Sequence, residues 1–214
     1  MSTNIATFPG CRPPVTFDPS LPGPDRHAAL VAALPAPLQE VLAAGRVERR
    51  PRFSDDGFEG LAETWSPPAT VTSQHAALAQ RALDDLTGTA LAPASTDHLL
   101  ARVLALLSHF PAKGMTPDVE RLVALDWADD LGEYPAWAID AAARQWRRTR
   151  KWRPSIAEMR AMCDDICRQE RALAERLQAV VLRAGQQDRA RVGLIKAIAA
   201  EAIQRMDRAP GRGV

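Results

Sequence analysis

The sequence predicts an all-α protein: a small helical bundle with a long C-terminal coiled-coil-like helical hairpin, preceded by a disordered, proline-rich arm. Three observations lead there. Beyond residue 72, apolar side chains recur at three- and four-residue spacing, the period of one helix face. Alanine and arginine are abundant while only 5% of residues are aromatic, a profile that suits helices better than sheets. In the first 24 residues, prolines recur every few positions ("FPGCRPP", "DPSLPGP") with no periodic apolar face, so this stretch cannot recover the entropy of ordering.

Taken in order, residues 1–24 read as the disordered arm. Residues 25–45 hold two short helical patterns, "RHAALVAAL" capped by Asp25 and "PLQEVLAAG" opened by Pro37. Residues 46–71 return to proline, glycine and charge, the composition of a linker. The bundle is expected over 72–165. Its first helix, "TSQHAALAQRALDDLTG", has a polar start and Gly88 as a stop. Pro93 with Ser95 or Thr96 opens a second, in which Leu99, Leu100, Val103, Leu107 and Phe110 form a core stripe. Thr116 and Pro117 start a third, with Val119, Leu122, Val123, Trp127 and Leu131 on one face before Gly132. A fourth begins at Pro135 and turns Ile139, Ala142, Ala143 and Trp146 inward. Short connections imply antiparallel neighbours.

Ser155 and Glu158 form a capping box and mark a firm helix start. After it, Ile156, Met159, Cys163, Ile166, Glu170, Leu173, Leu177 and Val180 keep a three-four alternation up to Gly185, a heptad seam with one charge, Glu170, in it. Beyond "GQQD" a last helix carries Val192, Ile195, Ala199, Ala202 and Met206 on one side, so 166–207 reads as long helices that fold back as a hairpin or pair between chains. A homo-oligomer would then form through 156–206, and 208–214 is a tail.

The totals exclude several functions. With 27 Lys plus Arg against 26 Asp plus Glu, the net charge of +1 provides no overall field for nucleic acid or an anionic membrane, so any such contact needs a local patch. No run of about 18 apolar residues exists and the start lacks a secretory pattern, so a soluble cytoplasmic protein with no membrane partner is expected. The three cysteines fit a reducing compartment. Cys163 and Cys167 have a spacing two metal ligands on one helix face can use, but no set of four ligands completes it; they read as small buried hydrophobes, and no metal is expected. His27, His75, His98 and His109 are scattered. Neighbouring acids such as Asp55 and Asp56, Asp129 and Asp130, or Asp164 and Asp165 diverge by about 100° on a helix and read as solvated charge. No phosphate loop, dinucleotide fingerprint or nucleophile elbow is present, so no cofactor, no catalytic residue and no enzyme activity is expected.

What remains is "ARQWRRTRKWRPSIAE". Arg144, Arg147, Arg148, Arg150, Lys151 and Arg153 fall close together with no acid among them, beside Trp146 and Trp152. Guanidinium groups bind carboxylates or phosphates, and an exposed indole stacks on a base or fills a partner's pocket. The bland alternative is that Trp146 is core, Trp152 packs the loop, and the arginines complement a helix C-terminus. The period of its helix puts Trp146 inside; for Trp152 and the arginines both readings stand.

The run from 110 to 166 also resembles a family. "HFP" ends one helix, "DVERLVALDWADDLGEYPAWAIDAAARQWRR" supplies two more, and "KWRPSIAEMRAMC" follows. This order resembles the helicase-loader domains of phage and prophage replication proteins, of the lambda replication protein P type and the Gram-positive phage type. Trp127, Trp137, Trp146, Trp152, Pro154, Ser155 and Glu158 occupy the matching places, while Arg153 stands between the aromatic and the proline, where many relatives have none. The resemblance implies a helical bundle without its own nucleotide site, which binds the replicative hexameric DNA helicase and delivers it to an initiator. Two alternatives stand beside it. One is a DNA-binding module in which the basic residues and the Ser155 helix start hold phosphates; the other is a coiled-coil assembly protein.

Overall fold

Among the residues described by the computed structural model (17–207 without 56, 111–113 and 115, and without side chains at 54, 59 and 202–207), seven helices and one β-hairpin form. The helices are α1 Gly23–Ala33, α2 Ala36–Ala43, α3 Ser73–Gly88, α4 Thr96–Leu107, α5 Pro117–Leu131, α6 Ala136–Thr149 and α7 Ile156–Asp207. Between α2 and α3 lie β1 Arg46–Ser54 and β2 Gly57–Ser66. The protein is therefore mostly helical but not purely all-α.

The expected linker is the source of the difference. Arg46 to Ser54 pairs antiparallel with Ser66 to Gly57. Alternation sets Val47, Pro51, Leu61 and Trp65 on one face and Arg46, Glu48, Arg50 and Arg52 on the other. Gly60 has φ +134° beside a register shift between Arg52 and Phe53, a backbone state that L side chains rarely adopt. Pro51 is tolerated because both strands of a two-stranded sheet are edges.

The 52 residues of α7 extend about 78 Å at the usual helical rise, and two cores form along it. The first packs α4, α5 and α6 on its opening turns through Leu99, Val103, Trp127, Ile139, Trp146 and Met159. The second packs α2 and α3 on its middle through Leu38, Val41, Ala79, Leu86, Leu173 and Leu177, with Leu30 and Val31 of α1 laid against it. Glu170 falls between Cys167 of the first and Leu173 of the second. It is fully buried, and Arg26 reaches it with Nε donating to Oε1 at 2.8 Å. The same guanidinium donates to the carbonyls of Leu21 (2.8 Å) and Ile166 (2.9 Å) and lies 4.7 Å from the Trp137 ring centre. One arginine of α1 thus closes the junction between the cores.

Three boundaries move from their expected places. Helix α7 runs through Gly185 without a break: Gln187 donates to the Ala69 carbonyl and accepts from the Val71 amide, holding the helix to the body just past the glycine. No helical hairpin forms among the described residues, and the seam from Met159 to Ala184 is buried within one chain. Order reaches further toward the N-terminus than residue 25, since Phe17 packs on Trp137 at 5.3 Å and Ser20 donates twice to Asp18. Helix α1 starts at Gly23 after Pro22, so Asp25 lies in its first turn and is not its cap. Residues 1–16 of the expected arm, and 208–214, lie outside the described residues. On α5, Val119 and Leu122 are exposed, because this end helix packs mainly on α4 and α7 and buries the narrower set Val123, Trp127 and Leu131. The polar start of α3 proves to be a capping box of Thr72 with His75, and of Ser95 and Thr96 it is Ser95 that caps α4, accepting from the His98 amide.

Candidate functional site

Where α6 ends and α7 begins, the chain makes a short, rigid corner. Arg150 leaves the helix in extended conformation while its amide still donates to the Trp146 carbonyl at 2.8 Å. Trp146 is buried and its indole Nε1–H donates to the Trp152 carbonyl at 2.9 Å, so the core fixes the loop from beneath. Pro154 is buried beside it. Then Ser155 and Glu158 close the capping box: the Ser155 amide and hydroxyl donate to Glu158 Oε2 at 2.9 and 2.8 Å, and the Glu158 amide donates back to Ser155 Oγ at 3.3 Å. Those bonds, the backbone one first, hold the Glu158 carboxyl below its ordinary range.

On this frame the side chains project outward. Arg144, Arg147, Arg148, Arg150 and Lys151 are exposed and Arg153 is half-buried. Among the described residues none of the six lies within ion-pair distance of an acid, although the Arg150 charge helps to lower the Glu158 carboxyl; the Arg150 guanidinium also lies 5.6 Å from the Trp146 centroid. Trp152 is 82% exposed, so it does not pack the loop onto the bundle. An indole held in water by a pinned backbone is available to a partner, whereas Trp146 is core. The seven residues singled out from the sequence lie on the last turns of α6 and the loop that follows it. The structure withdraws one donor: the Ser155 amide is already taken by Glu158, so the N-terminus of α7 offers less to a phosphate than a free helix start would.

Of the other residues in the Trp and Pro-Ser pattern, Trp127 and Trp146 are buried and Trp137 donates to the Ala90 carbonyl at 2.7 Å. Pro154, Ser155 and Glu158 build the corner. Trp152 is the tryptophan of that pattern whose ring is exposed.

The remaining candidates are structural. Cys163 and Cys167 are fully buried, and burial pushes both thiols up to about 12, so neither is a nucleophile near neutral pH. Among the described residues no group of His, Cys, Asp and Glu could hold a metal. His98 and Arg102 both contact Asp140 and tie α4 to α6. His27 is half-buried, its imidazole held below its usual range by burial first and then by Arg176. No helix among the described residues is long and apolar enough to cross a membrane.

Two features escaped the sequence. A groove of about 250 Å³ separates α4 from α5, and a larger apolar cavity of about 440 Å³ lies where α1, α3 and α7 meet, with Arg81 and Asp85 in its lining. Both depend on how helices sit across one another, which no local pattern encodes. No family model, curated protein or solved structure matches the chain, so function has to be argued from its own residues.

Proposed function

We propose that this chain is a non-enzymatic replication adaptor of the phage or prophage helicase-loader type, acting in the cytoplasm by gripping a replicative hexameric helicase. Its grip is the corner of Arg144, Arg147, Arg148, Arg150, Lys151, Trp152 and Arg153. The observation that carries this reading is Trp152, 82% exposed on a loop held by the Trp146 indole, beside cations of which Arg144, Arg147, Arg148, Lys151 and Arg153 have no acidic partner among the described residues. Exposed tryptophan with arginine is the side-chain combination most enriched at the energetic centres of protein interfaces. The frame costs little entropy on binding because its backbone is already fixed. The likeness to helicase-loader domains adds the identity of the partner, and an initiator or DNA would be a further contact.

The test is size-exclusion chromatography with light scattering, on the protein alone and mixed with a purified hexameric replicative helicase, at low and physiological salt. A complex is expected for the wild type and not for Trp152→Ala combined with Arg147→Glu and Arg148→Glu. Absence of any complex with the wild type would remove the reading.

A second reading, assembly through the end of α7, is favoured by a separate observation. Residues 189–201 are exposed throughout, including Val192, Leu194, Ile195 and Ile198. The trace of the protein alone reports on it, since this reading requires a mass above one chain.

A further inference from the structure

Beside the basic corner, α4 and α5 part along a groove lined by Leu100, Leu104, Leu107, Val123 and Trp127, and Arg153 of the corner forms part of the same wall. Arg153 therefore joins the apolar slot to the basic corner. We infer that this surface docks an amphipathic helix of a partner protein, apolar along one face and acidic along the flank that meets Arg153. This rests on the adaptor reading only in taking the partner to be a protein.

Three observations select that occupant. Leu104 is 57% exposed at the lip of the groove, and an apolar slot with an exposed leucine edge fits the i, i+3, i+4, i+7 anchors of a helix laid into it. Arg144, Arg147, Arg148, Lys151 and Arg153 have no acidic partner among the described residues, so carboxylates along the incoming helix would complete their pairing. Glu120 lies in the α5 wall, so the surface is not uniformly positive: it asks for acid at Arg153 and for a neutral or basic group at Glu120. A single nucleic-acid strand fits this less well. Its phosphates would meet Glu120, and stacking recognition uses successive exposed rings, whereas Trp127 is 4% exposed and Trp152 stands by itself.

The experiment uses the full chain and a fluorescein-labelled synthetic peptide of about five helical turns, with leucines at i, i+3, i+4 and i+7 and glutamates on the flank. A second peptide carries lysines instead, and labelled oligo-dT is a third probe. Anisotropy titration should show binding of the glutamate peptide and not of the lysine peptide. Leu104→Asp and Arg153→Glu should each weaken binding about tenfold or more. Circular dichroism melts report whether each variant folds, and the exposed pair Arg147→Glu with Arg148→Glu replaces any that does not.

Equal binding of both peptides, no binding of either, or indifference to the variants overturns the inference. So does oligo-dT that binds the wild type and is lost in the same variants, which would give the surface to nucleic acid. The two proposals fail separately. A helicase complex that survives Leu104→Asp, a residue of the groove and not of the grip, keeps the adaptor reading and removes the docking groove, while peptide binding without a helicase complex does the reverse.

Discussion

Replacing Glu170 by alanine would leave the Arg26 guanidinium, itself only 8% exposed, without its counter-charge at the point where the two cores meet. Breaking one side of a buried ion pair costs about 3 to 5 kcal/mol, much of it the penalty of the stranded charge. Urea unfolding should show that loss for Glu170→Ala, and the double change Arg26→Met with Glu170→Met should recover most of it. Equal losses in the single and double variants would mean that the pair does not pin α1. From sequence, Glu170 read as a charge within a heptad seam, which was right about its position; its partner lies 144 residues away and no local pattern points to it. The two tryptophans differ in the same way. Trp146 falls on the inward period of α6, whereas the exposure of Trp152 depends on a loop whose direction is set by a tertiary hydrogen bond.

At the scale of elements, glycine carried most of the ambiguity. Gly88 does end α3, but Gly185 sits inside α7 with nothing within 4 Å of where a Cβ would stand. Substituting alanine there should raise stability by roughly 0.5 to 1 kcal/mol, because glycine in a helix interior carries a larger entropy loss. Had Gly185 ended the helix in a left-handed cap, the same change would be destabilising, so thermal melts of Gly185→Ala separate a continuous helix from a hairpin. The β-hairpin was missed for a different reason. "DDGF" contains Asp-Gly, a recognised hairpin signal, but the flanking "RVERRPRF" is too charged and carries a proline where a buried strand would not. It forms as an exposed ribbon, its Phe53 and Phe58 rings meeting at 5.8 Å and its base anchored by Trp65 against the second core. Gly45 explains that anchor, since a Cβ there would lie 2.2 Å from the Trp65 ring.

Across the whole molecule, the helical order and the corner were legible because both rest on local rules: apolar period, caps, and a run of like charge. The joining of two cores on one helix, the α4–α5 groove and the pinned exposure of Trp152 were not, because each depends on contacts between distant segments. Those tertiary features turn a basic stretch into a surface with a shape, and the central claim is that this surface meets the partner. Hydrogen–deuterium exchange of the full chain, with and without a purified hexameric replicative helicase, tests that claim most directly. Added helicase should slow exchange over residues 100–108, 117–127 and 144–155 and leave the hairpin at 46–66 and the end of α7 at 189–201 unchanged. Protection confined to the hairpin or to the end of α7, with the corner unaffected, would contradict it.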